Sequence, residues 1–164
     1  PSQFSGSFYR ESGARQTKAV KDSLLRLNPE MKVFVMGDMN DDPTSKSMYE
    51  VLRAQPEISE VGEGDMYNPW YNILAKEEKG TLYYRGKWNL FDQIVLTPNL
   101  LNKDGKKKGY RSLKYWNHQV FRRDYLIQQE GRYQGAPLRT KAGGKWLNGY
   151  SDHLPVVLYL VKKK

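Results

Sequence analysis

The chain has 164 residues, no cysteine, and 27 Lys and Arg against 18 Asp and Glu, a net charge of +9. At this length one domain with a sizeable core is the default, while disulfides, thiolate catalysis and cysteine-bound zinc are excluded. No apolar run approaches the roughly 18 residues of a membrane span, and the positive balance favours anionic partners such as nucleic acid, phosphorylated metabolites or a phospholipid headgroup surface.

Residues 1–10 lack periodicity and read as extended. Ala14, Thr17, Val20, Leu24 and Leu27 recur at spacings of three and four, which predicts an amphipathic helix stopped by Asn28 and Pro29. Lys32 to Met36 is an apolar strand, and Gly37 permits a tight exit from it. Asp38, Asn40, Asp41 and Asp42 then gather where a phosphate or a divalent cation can be held. Pro43 and Ser45 can open a short helix with Met48, Val51 and Leu52 on its apolar face. Residues 57–80 read as a long loop with one helical turn around Asn68 to Glu77, and long loops beside a candidate site are often functional.

Residues 81–86 and 91–97 predict an antiparallel strand pair joined through Lys87-Trp88-Asn89, making the sheet mixed or antiparallel. The stretch 98–149 reads mainly as loop. Leu113, Tyr115, Trp116, Val120 and Phe121 are its packing points, 124–129 is either a strand or a helical turn, and 131–149 is a glycine-rich surface excursion. Residues 154–161 form a buried strand. The basic tracts 103–110 and 162–164 carry much of the charge and also read as solvated loop and tail.

Phosphate ester hydrolysis needs charge neutralisation, a group that orients water, and a donor that stabilises the transition state. Asp38 and Asn40, two apart on extended backbone, can face the same side of a strand exit: the first orients water, the second offers an amide to phosphate. An Asx-rich turn capping a helix is the structural alternative. Asp152 and His153 precede the last strand, where a bend would let Asp152 approach a metal or water and His153 a phosphate. Asp92 opens a buried strand and needs a partner; His153 is the economical one, with Arg85 or Lys87 the alternative. His118 reads as a packed residue in a polar patch. Arg139 and Thr140 suit either a phosphate contact or the surface, and Trp70 and Tyr71 either stack on a base or pack a loop. Two histidines and no cysteine leave oxygen-ligand ions, Mg2+, Mn2+ or Ca2+.

With "VFVMGDMNDDP", "NLFDQIVL" and "GYSDHLPV" in this order, the chain resembles the carboxy-terminal half of the endonuclease/exonuclease/phosphatase superfamily, closest to its bacterial members. Their "GDFND" is here "GDMND", with Met39 in place of Phe. The resemblance implies an α/β, DNase I-like sandwich of mixed or antiparallel sheets with outer helices. Residues 1–164 would then be the carboxy-terminal part, about half, of one such domain. It also implies Asp38 as the residue that positions the attacking water, Asn40 as its companion on the phosphate, and His153 as the catalytic histidine oriented by Asp92. Asp152 would join the metal network, with Asp38 a further metal contact.

The family's first half supplies an Asn, a metal-binding Glu and another His that have no counterpart here. In related bacterial proteins that His stands just before "PSR", and this chain starts with "PSQ". The resemblance therefore implies a metal-dependent hydrolase of phosphodiesters or phosphomonoesters as the full-length protein, with this piece inactive alone. It would contact the absent amino-terminal half, or self-associate, through an exposed sheet face. A noncatalytic module binding nucleic acid or phospholipid is the alternative. A soluble protein, cytoplasmic or exported from a bacterium, is expected; substrate class and metal identity stay open.

Overall fold

The computed structural model describes residues 6–102 and 112–162. It opens with a 21-residue helix, α1 (Ser7–Leu27), so residues 7–10 are helical and not extended as the sequence suggests. Its packed face also differs from the predicted one. Ala14 meets the core and Lys21 is buried, donating from Nζ to the Gly64 carbonyl oxygen at 2.6 Å, whereas Val20 and Leu27 are exposed. The long Lys21 stem covers apolar surface while its ammonium finds oxygen partners, including Asp22 at 2.6 Å.

Strand β1 (Phe34–Asp38) follows, then a single π-helical turn (Ser47–Val51), in which Leu52 N donates to Ser47 O at 2.9 Å. The predicted loop 57–80 also contains β3 (Met66–Tyr67), which pairs in parallel with β2 (Ala54–Gln55), and its predicted helical turn at 68–77 is the eight-residue helix α2 (Trp70–Glu77). Met66, Tyr67, Asn68 and Trp70 are buried, so this polar-looking stretch supplies core.

The hairpin prediction is corrected in the same way. Strand β4 (Leu82–Tyr84) pairs with β5 (Lys87–Asn89), the tripeptide read as a link, while β6 (Asp92–Leu96) pairs antiparallel with β1 and with β3. The main sheet is therefore mixed, in the order β1-β6-β3-β2. The predicted loop 98–149 contains the seven-residue strand β7 (Lys114–Val120), a short 3-10 turn at Asp124–Leu126, and the exposed ribbon β8 (Lys141–Ala142) and β9 (Lys145–Trp146). Leu113 and Trp116, expected to pack, are exposed. The basic tract 103–110 lies outside the described residues. The last strand, β10 (Val156–Val161), pairs antiparallel with β7 and is half-buried, not fully buried.

The alternation of β6 explains the layering. Val95 points to one face, where Met48, Leu52, Ala54 and Met66 gather under Ala14 of α1. Leu96 and Ile94 point to the other, against Tyr115, Leu158 and Leu160 of the β7–β10 pair. A helix, a mixed sheet and a second sheet thus stack in three layers, with a third cluster of Trp70, Ile73 and Leu90 closing one end. Among the described residues no helix is long and apolar enough to cross a membrane.

Candidate active site

The register of the β1–β6 ladder sets Asp38 directly opposite Asp92 at the ladder's last rung. Gly37 makes this ending possible. Its φ of 148° lies where a side chain is strained, so glycine lets the ladder continue one more rung to Asp38. Asn40 follows with φ 51°, and its backbone N–H donates to Asp38 Oδ1 at 2.9 Å. This Asx turn holds the Asp38 carboxylate in place and leaves the side chains of Asp38 and Asn40 in solvent.

The chain reaches the same rung a third time at its carboxy-terminal end. His153 forms a bridge with Leu82, and Leu154 N donates to Thr81 O at 2.9 Å, so the approach to β10 is stitched onto the start of β4. His153 Nδ1 consequently donates to Asp92 Oδ2 at 2.6 Å, with both side chains about one-fifth exposed. The alternative partners of Asp92 are exposed, Arg85 in the turn of the β4–β5 hairpin and Lys87 at the start of β5. The hydrogen bond from His153 to Asp92 raises the imidazole pKa above its ordinary value. Partial burial opposes this, and the negative charges of Asp92, Asp38 and Asp152 add to the upward shift. With Nδ1 committed to Asp92, Nε2 is left to face a ligand.

Asp152 is exposed in the bend before His153 and bears on it through charge. The other two acids of the 38–42 group behave differently from the sequence expectation of one oxygen cluster. Asp41 is buried, accepting from Ser47 Oγ at 2.5 Å and pairing with Arg10 Nε of α1 at 3.0 Å. Asp42 accepts from Leu90 N at 2.8 Å, and burial pushes its carboxyl pKa up. These two acids lock the loop to the fold, while Asp38 and Asn40 stay outside.

Gln93, to which the sequence reading assigns no role, ties the 38–42 loop to β6 and to the segment before α2. Fully buried, its Nε2 donates to Asp41 O at 2.7 Å and to Leu90 O at 3.0 Å, and its Oε1 accepts from Asn68 Nδ2 at 2.8 Å. A glutamine inside the apolar run of β6 was the available signal, because a buried amide must be satisfied. Thr81 adds a weaker tie, accepting from Asp92 N at 3.4 Å.

Other sequence candidates stand elsewhere. Trp70 is fully buried, with Nε1 donating to Ile94 O at 3.0 Å, so it packs and does not stack on a ligand. His118 hydrogen-bonds the Tyr115 hydroxyl at 2.6 Å and meets the edge of Trp70, and burial lowers its pKa. Arg139 donates to Tyr83 O at 3.4 Å, and Thr140 to Tyr150 O at 3.2 Å.

Among the described residues, no three His, Asp or Glu side chains converge on a point that could hold a metal ion. The oxygen donors are of the right kind for a hard cation, but Asp92 is engaged by His153, and Asp41 and Asp42 are turned inward. These residues alone do not complete a metal site.

A family model described as "Endonuclease/Exonuclease/phosphatase family" matches residues 5–162. No curated protein matches the chain, and no solved structure does.

Proposed function

Since the chain belongs to the endonuclease/exonuclease/phosphatase family, we propose that it carries one wall of a phosphoester hydrolase site, built at the Asp38–Asp92 rung. The observation that carries this reading is the His153–Asp92 pair held at 2.6 Å beside the exposed Asp38 and Asn40. Asp38 takes a proton from the attacking water and keeps it in line with the ester bond. As the new oxygen–phosphorus bond forms, negative charge grows on the phosphoryl oxygens; the ester bond then breaks and the departing oxygen takes up a proton from solvent. The Nε2–H of the His153 imidazolium and the Asn40 amide are the donors for that charge. Asp92 offsets the positive charge on the ring and fixes its orientation.

A divalent cation, with Mg2+ the first choice and Mn2+ or Ca2+ as substitutes, would supply charge neutralisation. Asp152 and Asp38 are this chain's candidate contributors to it. In this reading its main carboxylate ligand is a Glu outside these 164 residues, which alone would have little or no activity.

The test is hydrolysis of nucleic acid, phosphoinositide and sphingomyelin by the longest natural form of the protein, with and without each cation. Hydrolysis of one of these that is lost in His153→Ala and in Asp38→Ala is expected. Failure to hydrolyse any phosphoester, or hydrolysis indifferent to both substitutions, overturns the reading.

A further inference from the structure

The charge of this chain is unevenly placed. Residues 1–79 contain 10 Lys and Arg against 13 Asp and Glu, whereas residues 80–164 contain 17 against 5. Several basic side chains of the second part are also set against rings. Among the described residues there are five cation–aromatic pairs, and all lie between residues 84 and 146. About two would be ordinary for a chain of this length. The closest places the Arg123 guanidinium 4.4 Å from the Phe121 ring centre.

One of these pairs borders a cavity. Between the β4–β5 hairpin and the segment 120–136 lies a pocket of about 460 Å3, floored by Leu154 and Ala136, with Tyr83 and Trp88 in one wall and Arg122 and Lys79 among its lining. The two rings meet edge to face at 5.2 Å, and the Arg122 guanidinium stands 5.7 Å from the Trp88 ring centre. Lys79 is paired with Glu77 at 2.9 Å, while Arg122 has no carboxylate partner among the described residues. The pocket touches the active site through the chain itself: Leu154 follows His153, and Tyr83 follows Leu82, its bridge partner.

We infer that this pocket is a stacking subsite for one base of a single-stranded nucleic acid, with Arg122 taking an adjoining phosphate. An apolar floor, two half-buried rings and a guanidinium suit a planar base carrying an anionic linkage. A bilayer is met by convex apolar loops, and a concave pocket of this size does not offer that. The subsite names a substrate class for the site described above and rests on that phosphoester reading for its catalytic meaning. Binding itself does not depend on hydrolysis.

The experiment is fluorescence anisotropy of labelled ten-nucleotide oligothymidylate and oligouridylate with the His153→Ala chain, with anionic phosphatidylserine vesicles as a second probe. Binding at least tenfold weaker in Trp88→Ala is expected, consistent with the worth of one base stack. Arg122→Gln, at an exposed position, should weaken binding and flatten its salt dependence by about one phosphate contact. Arg26→Gln, on the far acidic part of the chain, should leave affinity unchanged. Trp88→Phe keeps a ring and should bind more tightly than Trp88→Ala; melting curves of each variant separate lost binding from lost fold. Oligonucleotide binding indifferent to Trp88 and Arg122, or binding to vesicles but not to oligonucleotides, overturns the subsite. Pocket-dependent binding by a protein that hydrolyses no phosphoester would count against the catalytic reading and leave the subsite standing.

Discussion

His153 and Asp92 lie 61 positions apart in the chain and 2.6 Å apart in the fold. Asp92 opens β6, His153 lies in the segment before β10, and the short bridge of His153 to Leu82 is what closes the distance.

That pair makes stability depend on pH with a definite sign. The His153 pKa is raised in the folded protein, chiefly by its hydrogen bond to Asp92, so the folded state holds the proton more tightly than the unfolded chain. The stabilisation is complete below the ordinary histidine value and is lost as pH rises through the raised one. Asp92→Asn should therefore cost on the order of 1 to 2 kcal/mol at about pH 5.5 and much less at about pH 9. Urea denaturation at the two pH values checks this, and NMR titration of His153 should show a lower pKa in the variant. An equal cost at both ends would mean that the imidazolium is not the species Asp92 holds.

Asn40 separates a side-chain role from a backbone one. Its φ of 51° is left-handed, so Asn40→Ala should lose about 1 kcal/mol to strain while Asn40→Gly loses almost none. If the amide contacts phosphate, both variants should lose about 10²-fold or more in rate in whichever form of the protein hydrolyses a phosphoester, a deficit of a size typical of a missing transition-state donor. Full activity in Asn40→Gly would reduce Asn40 to a turn residue.

Gln93→Leu should destabilise by about 3 kcal/mol, because it strips the Asp41 and Leu90 carbonyls and the Asn68 amide of a buried partner at once. Chemical denaturation measures the loss. A cost below about 1 kcal/mol would mean that the loop finds other partners.

Gly80 tolerates no side chain for a packing reason. A Cβ there would land on the carbonyl oxygen of Asn89, the same oxygen that accepts from Thr81 N at 2.9 Å. Gly80→Ala should cost about 2 to 4 kcal/mol. Gly13, in α1 with open space around it, is the opposite case: Gly13→Ala should gain about 0.5 to 1 kcal/mol. Thermal melts of the two variants should move in opposite directions.

Much of the candidate site was legible because strand ends leave local marks. An apolar run that stops at Gly37 and Asp38, an acid opening "DQIVL", and an Asp-His pair before "LPVVLYLV" each describe a strand edge in a few adjacent residues. Asp92 without a partner on its own strand even pointed to His153, since buried charge demands one. What misled was polarity taken for exposure. Residues 57–80 look like loop, yet Asn68 and Trp70 are fully buried there, because Gln93 and the Ile94 carbonyl satisfy their polar atoms across the sheet. Lys21 in α1 is the same lesson.

The sequence by itself determined the family, the residue types able to act on a phosphate, and the three strand ends that carry the candidate site. Local pattern suffices for these, since strand periodicity and turn chemistry are written within a few residues. Tertiary structure alone decided which of the four oxygen side chains from Asp38 to Asp42 remain free. Arg10 of α1, Ser47 of the π-helical turn and Leu90 between β5 and β6 hold Asp41 and Asp42 inward. No spacing in the chain records that division, because it depends on which buried donors the fold brings within about 3 Å of each carboxylate.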